Sequence, residues 1–389
     1  MVLREIYLIR EKCKKITIII QCVEELEMRL CFICSGYSTI FGGVETVVSE
    51  LCEQFTARGN EVYILSGWGK KSGPKRAKLL KLPFIPYKYF RKIPLLRKIF
   101  PPSELEALSL FPSNLLCLLC IRPDIILSNQ LSETLPALIL NVPSIMISQA
   151  PIGMRSNAFK RVDLVIANDF RSYDTLTKMG VKTRLIFNGV NVPCYNKMGN
   201  ELLKNKYGIP NNSIVILTIA RLDSNKRINL LIEAFKLINQ NATLVIVGEG
   251  PELASLKKQA MRIQSKNRII FVKPVPHERL KEFYELCDVF TLPSKLEAMP
   301  MVLLEALSFG KVAVTNSAPE KKFIIDKFGI FTNVENPNQY AESLVKAFSI
   351  KIDVNSLDYI KHMQKFNWSN IASQYEVVFH DVLQKRHSA

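Results

Sequence analysis

No apolar run in this chain reaches the roughly 18–20 residues that a bilayer-crossing helix needs, so an integral membrane protein is not expected. Histidine is scarce: there are 4, His277, His362, His380 and His387, all in the second half, which disfavours an imidazole base supplied by the first half. Between Glu61 and Glu104 there is no acidic residue. The opening stretch holds only a short apolar patch and no small-residue cleavage site, so a secretory leader is not expected there. Cysteines number 9, an odd count that fits reduced thiols in a cytoplasmic setting better than a disulfide framework. Cys31/Cys34 and Cys117/Cys120 have zinc-like spacing, but the first pair lies in an apparent strand, where residues three apart face opposite ways. The second lies in the apolar run NLLCLLCI, and core packing is expected over a metal site for all four.

What the chain has in quantity is apolar side chain and positive charge. Its 389 residues, 48% hydrophobic and 22% charged, are enough for two ordered domains with a buried core in each. A formal charge of +17 points to anionic partners: phosphate-bearing ligands, nucleic acid or an anionic membrane surface.

From Met28 the pattern is regular. RLCFICSG reads as a strand, TIFGGVE as a turn, TVVSELCEQFTARG as a helix and EVYILS as the next strand; DIILSN, SIMISQ, DLVIAN and RLIFNG continue the strand series. After a seam near residues 188–212 the alternation restarts with IVILTIAR, TLVIVGEG, RIIFVK, DVFTLPS and KVAVTN, helices between them. Two such runs predict two Rossmann-like, doubly wound parallel-sheet domains, an α/β architecture whose ligands bind beyond the carboxyl ends of the strands. The expected boundaries are an extension over 1–27, a first domain over 28–192, a second over 193–370 and a closing helix over 371–389.

Residues 70–100 stand apart, with lysines and arginines alternating with Leu, Phe, Ile and Tyr, and prolines that break any long helix. Two readings stand: a basic, solvated excursion over the first domain, or a surface that docks on anionic lipid with its apolar side chains in the headgroup region. Nucleic acid is not expected, because no nucleic-acid module accompanies the charge.

Chemistry-bearing residues concentrate in the second half. Arg221 and Lys226, in IARLDSNKRINLL, flank a strand-to-helix turn where two cations and a helix N-terminus can converge on a diphosphate. Gly42 and Gly43 form a loop whose backbone can approach a phosphate, although GGVE alone is equally well a tight turn. In SKLEAMPMVLLEALSFG, residues 294–310, Glu297 precedes an apolar helix and Glu305 lies about one turn inside it. A carboxylate accepting two hydrogen bonds is the usual partner of a ribose diol. One carboxylate for a ribose, one for a second sugar and two cations between them make a layout for a nucleotide sugar.

GGVE, the Arg221/Lys226 pair, VGEGPE, DVFTLPS and the E-x7-E stretch from Glu297 to Glu305, in this order, resemble a retaining glycosyltransferase of family 4 in the GT-B superfamily. The resemblance runs from Met28 to about Phe379. It implies that Arg221 and Lys226 bind the donor diphosphate and stabilise the departing nucleoside diphosphate, that Glu297 meets the transferred sugar and that Glu305 takes the ribose hydroxyls. It further implies that the backbone of Met299 and Met301 assists the sugar or distal phosphate, that Gly42 and Gly43 close on the diphosphate, and that Gly248, Gly250 and Val275 border the nucleoside. Where many relatives carry a histidine in the acceptor domain, this chain offers Asn129, Gln130 and Gln149; Gln149 and Asn129 are the candidate acceptor-side contacts. Ala298 stands where relatives commonly have glycine.

The implied activity is transfer of a hexose or N-acetylhexosamine, with retention, to a hydroxyl of a glycolipid, lipid-linked oligosaccharide or polysaccharide. Two cations in place of a divalent ion mean that no essential metal or other cofactor is expected. A cytoplasmic enzyme, peripheral on the inner membrane face if the basic stretch docks there, is the expected setting. A sugar-nucleotide epimerase on the same architecture and a non-catalytic glycosyltransferase-like subunit are the competing readings.

Overall fold

The computed structural model describes residues 27–38, 42–70, 72–85, 89, 102–148, 159–191, 200–262 and 267–388. Residues 1–26 of the expected extension over 1–27 and the greater part of 86–101 therefore lie outside the described residues, as does Gln149. Two parallel sheets organise the chain. The first has seven strands in the order β3-β2-β1-β4-β5-β6-β7. They are β1 Arg29–Ile33, β2 Glu61–Gly67, β3 Lys78–Leu82, β4 Ile125–Ser128, β5 Ser144–Ser148, β6 Leu164–Ala167 and β7 Thr183–Leu185. The second has six, in the order β10-β9-β8-β11-β12-β13. These are β8 Ile214–Ile219, β9 Ala242–Val247, β10 Arg268–Val272, β11 Val289–Leu292, β12 Val312–Thr315 and β13 Gly329–Phe331. By contacts the chain divides into one unit of residues 1–40 and 48–145 and another of 41–47 and 146–389.

Parallel strands covered on both faces read as continuous apolar runs, and that is why the sequence announces them. Every residue of β9 and β11 is buried, as is every residue of β4 and β5. In the second sheet β9 and β10 lie to one side of β8, and β11, β12 and β13 to the other. The strand order reverses between β8 and β11, and a ligand crevice forms outside the carboxyl ends at such a switch point. In the first sheet the same reversal falls between β1 and β4.

Three local expectations need correction. The helix expected from Thr46 begins at Gly43, because the Gly42 carbonyl accepts from both the Thr46 N–H (3.2 Å) and its hydroxyl (3.0 Å), closing the first turn early. Part of the basic stretch is not an excursion: Lys78–Leu82 pairs in parallel with β2 as the edge strand, with Lys78 and Lys81 outward. Charged side chains on an edge discourage pairing with another sheet, which is an ordinary use for lysine there. Cys31 and Cys34 are buried as expected, but Cys117 is only half-buried and Cys120 is exposed, since the helix Phe111–Ile121 turns only Asn114, Leu118 and Ile121 inward.

The end of the chain is tied to the strands that close the first sheet. In the helix Trp368–His387, Arg386 makes a two-pronged ion pair with Asp163 (3.0 and 2.8 Å) just ahead of β6, and Asp381 pairs with Arg184 on β7. An aromatic cluster of Phe170, Phe187, Phe323 and Phe366 packs beside this return.

Candidate functional site

The loop that leaves β8 is shaped by two glycines that belong to a different strand. Residues 220–222 run alongside the turn after β9, with the Ala220 N–H donating to the Val247 carbonyl (3.0 Å) and the Leu222 N–H to the Glu249 carbonyl (2.8 Å). A Cβ on Gly248 would lie 1.9 Å from the Ala220 carbonyl oxygen, and one on Gly250 would lie 2.3 Å from that of Leu222. Gly248 also sits at φ +147°, where only glycine is at ease. The VGEG turn thus fixes the backbone that carries Arg221, whose exposed guanidinium lies 3.7 Å from Asp223.

Asp223 then caps a short 3-10 turn, Ser224–Lys226, by accepting from the Asn225 N–H (3.1 Å). Arg227 follows in the left-handed region at φ 54° and turns the chain into the helix Ile228–Lys236. Asn225 clasps this turn to the loop after β11: its carbonyl accepts from the Lys295 N–H (2.8 Å), its Nδ2 donates to the Leu296 carbonyl (2.8 Å) and its Oδ1 accepts from the Leu296 N–H (3.1 Å). Three hydrogen bonds from one residue hold the two switch-point loops together. Lys226 and Glu297, the neighbours of the clasp, meet at 2.5 Å with side chains only 20% and 15% exposed.

Glu305 is placed by other partners. It lies in the helix Met301–Ser308, buried, and its carboxylate accepts from the Tyr284 hydroxyl (2.6 Å) and faces His277 Nε2 at 2.8 Å. Burial, and then the Glu305 carboxylate beside it, push the Tyr284 phenol well above its usual range, so it remains a donor. His277 opens the helix His277–Leu286, two residues beyond Val275, which packs against the core. Met299 is buried and Met301 starts its helix after Pro300, where first-turn N–H groups have no intrahelical acceptor.

Of the residues singled out in the sequence, Lys226 and Glu297 are brought into contact. Arg221 lies on the same loop as Lys226 with Asp223 as its ion-pair partner, and Glu305 is engaged with Tyr284 and His277. Gly248, Gly250 and Val275 follow β9 and β10 at the same carboxyl edge of the sheet. Gly42 and Gly43 lie at the start of the helix Gly43–Ala57; a Cβ on Gly43 would meet nothing within 4 Å. Asn129 follows β4, and its N–H donates to the buried Glu133 carboxylate (3.0 Å). Glu133 also takes the Ser35 N–H (2.7 Å) and hydroxyl (2.8 Å), so it joins the loops after β1 and β4.

Sequence reasoning passed over Asn225, Tyr284, His277 and Lys321. Asn225 sits in a polar turn that any asparagine would suit, and Lys321 sits beside Lys322 in PEKKFII, where nothing marks one lysine as buried and the next as exposed. A periodicity count over HERLKEFYEL would have turned Tyr284 inward, because it lies four residues after the apolar Leu280, on the same helix face.

Comparison with known proteins bears on the family and the fold. The model for "Glycosyltransferase Family 4" matches residues 41–192 and that for "Glycosyl transferases group 1" matches residues 199–362. An uncharacterised glycosyltransferase of Methanocaldococcus jannaschii is 28% identical over half of this chain and 52% of its own. A Campylobacter jejuni enzyme whose name describes a 4-alpha-N-acetylgalactosaminyltransferase acting on a diphospho-undecaprenol-linked saccharide is 25% identical over 69% of this chain and 72% of its own. The chain spans about half the length of most curated relatives it matches. In fold, the Anabaena protein HepE, solved with UDP and glucose, superposes with a TM-score of 0.69 at 17% identity, covering 91% of this chain and all of that one. With the two models matched in order along the chain, on two parallel sheets of GT-B type, this chain belongs to the group 1, family 4 glycosyltransferases.

Proposed function

We propose that this enzyme takes a hexose or N-acetylhexosamine from a nucleoside diphosphate sugar and passes it, with retention, to a hydroxyl of a glycolipid, lipid-linked oligosaccharide or polysaccharide. The observation that carries the reading is the shielded Lys226–Glu297 pair at the switch point of the second sheet, with Arg221 on the same loop. A donor diphosphate draws Lys226 from Glu297 onto a phosphate oxygen, and Glu297 is left to accept hydrogen bonds from the hydroxyls of the sugar. Arg221, otherwise exposed, folds onto the same diphosphate. Fixed cations facing the oxygen that gains charge as the glycosidic bond breaks lower the barrier without reorganisation. The start of the helix Met301–Ser308 adds its positive end, with the backbone of Met299 and Met301 at the sugar or distal phosphate.

Glu305 serves the ribose. An ionised carboxylate has about four lone-pair positions, and Tyr284 and His277 occupy two, so a diol can still be bound. Gly42 and Gly43 close on the diphosphate, Gly248, Gly250 and Val275 border the nucleoside, and Asn129 and Gln149 serve the acceptor side. The side-chain cations replace a divalent ion in this scheme. The UDP and glucose in the Anabaena structure support a nucleotide-sugar donor, and the undecaprenol-linked substrate of the Campylobacter relative supports a lipid-linked acceptor.

The test is incubation with UDP-, GDP-, ADP- and dTDP-sugars, with and without a lipid-linked acceptor. Acceptor-dependent release of nucleoside diphosphate is the expected result. A sugar altered while still on its nucleotide means an epimerase, and no turnover with any donor sinks the reading.

A peripheral membrane setting is favoured by one further observation. Trp68 (65%), Ile85 and, on the helix Phe111–Ile121, Leu116 (66%) and Leu119 stand exposed in the unit that carries the outward Lys78 and Lys81. Among the described residues no helix is long and apolar enough to cross a membrane, so docking at the surface is the mode proposed. Vesicles of phosphatidylcholine with and without phosphatidylglycerol, sedimented with the enzyme and with Trp68→Ala/Lys75→Glu/Arg76→Glu, test it. Equal sedimentation of variant and parent removes the docking surface.

A further inference from the structure

The helix Pro319–Ile325 turns one of its two lysines inward. Lys322 is exposed, whereas Lys321 is fully buried, and its ammonium donates to the carbonyls of Leu292 (3.2 Å) and Ser294 (2.8 Å). Leu292 ends β11, and Ser294 lies three residues before Glu297 on the loop that presents it.

Lys321 is not required to satisfy those carbonyls. The Leu292 carbonyl also accepts from the Thr315 hydroxyl (2.5 Å), and that of Ser294 from Asn316 Nδ2 (2.8 Å). Burial of an ammonium against carbonyls alone is costly, and an aliphatic side chain would be the ordinary occupant of a helix face that also buries Ile324 and Ile325. A cost with no return in backbone satisfaction belongs to a site rather than to the core.

The charges that face this ammonium are those of the transfer site. Glu297, on the loop after β11, favours its charged form, as does Glu320 on its own helix; Lys226 and Arg227, from the turn after β8, oppose it. Burial outweighs all of them and lowers its proton affinity to about 7.

We propose that Lys321 is a positioning residue for glycosyl transfer: its buried ammonium pins the Leu292–Ser294 end of the loop and so fixes where Glu297 stands. This rests on the reading of Glu297 as the residue that meets the transferred sugar. The ammonium's charge-assisted bonds to the Leu292 and Ser294 carbonyls hold the loop more firmly than those of the neutral amine, which keeps two N–H donors, so the rate falls as pH rises through neutrality.

The experiment compares wild type, Lys321→Met and Lys321→Arg, each checked for a cooperative melt. It follows kcat and donor KM from pH 6 to pH 9, and hydrogen–deuterium exchange of the 293–300 segment. Misplacing a reacting group by about 1 Å costs up to about a hundredfold, so Lys321→Met is expected to lose ten- to a hundredfold in kcat at pH 6.5 with donor KM nearly unchanged. Its neutral-pH inflection should vanish, its 293–300 amides should exchange faster, and Lys321→Arg should recover part of the rate. Unchanged kcat, pH profile and exchange in folded Lys321→Met overturn the proposal. Should that variant not fold, wild-type exchange at pH 6 and pH 9, corrected for intrinsic chemistry, decides instead: equal protection of 293–300 overturns it. Exchange needs no substrate, so a wild type that turns over no donor fails the functional reading while the loop measurement still judges Lys321.

Discussion

Lys226 and Glu297 lie 71 positions apart in the chain and 2.5 Å apart in the molecule, an ion pair largely shielded from water. The pair joins the loops that leave β8 and β11, the two strands between which the order of the second sheet reverses. Each partner holds the other in orientation until an anion competes for the lysine. Lys226→Ala should therefore lower kcat by about 10²–10³, as for loss of one preorganised donor at a developing charge. Lys226→Ala and Glu297→Gln should also be non-additive, the double variant being little worse than the poorer single one. Steady-state rates for the four proteins decide; full additivity would mean that the two residues act on separate steps.

The second sheet and the loops of its candidate site were legible for a physical reason. Strands such as ATLVIV and VFTL are buried on both faces, so they appear as unbroken apolar runs ended by Gly or Pro, and the charged residues in the loops just beyond them stand out. Glu297 and Lys226 were visible as types and as loop positions. Their contact was not, because it is made by Asn225, whose three hydrogen bonds follow from how the two loops lie and leave no mark on periodicity. β3 was hidden for the opposite reason: an edge strand needs only one covered face, and KLLKL carries lysines where a central strand would carry valines. Lys321 was hidden because two adjacent lysines in a seven-residue helix read as a solvated face.

Glu305 should separate nucleotide affinity from chemistry. Glu305→Gln weakens acceptance from a ribose diol and should raise donor KM about tenfold or more while changing kcat little, since hydrogen bonds to charged groups contribute about 1.5–3 kcal/mol. Tyr284→Phe removes the 2.6 Å hydrogen bond that holds the same carboxylate and should cost about 1–2 kcal/mol of stability, with a smaller rise in KM. Thermal shift by added UDP, GDP or ADP, whichever the wild type binds, reads both variants. An undiminished shift in Glu305→Gln would remove the ribose assignment.

Two glycines give opposite expectations. Gly248→Ala places a Cβ 1.9 Å from the Ala220 carbonyl at a φ only glycine favours, so the variant should lose several kcal/mol or fail to fold. At Gly43 an added Cβ meets nothing within 4 Å, so Gly43→Ala should melt with the wild type. Any rise in donor KM in Gly43→Ala then reports on the ligand alone, and a wild-type KM would argue against close approach of that backbone to the diphosphate.

Chelation tests the cationic scheme directly. If Arg221 and Lys226 supply the charge that meets the leaving group, activity in excess EDTA should match that in magnesium or manganese within about twofold, because preorganised side chains do this work. A loss of tenfold or more on chelation, restored by a divalent ion, would replace the scheme with a metal-assisted one.

Lys321 predicts a change of stability with pH whose sign is fixed. An unfolded lysine titrates near 10.4, whereas burial brings Lys321 to about 7 in the folded chain. Between these values the unfolded chain binds more protons, so wild-type stability rises with pH relative to a variant without the amine. Below pH 7 the burial cost is present in full, and Lys321→Met should be the more stable protein there, by a few kcal/mol at most. The gap should narrow steadily toward pH 10, as followed by urea midpoints at pH 6.5, 8 and 9.5. A gap that does not vary with pH would show that the side chain is not buried as an ionisable group. A variant that is more stable yet slower near pH 6.5 would separate positioning from core packing, because a lysine serving only the core would lose stability and rate together.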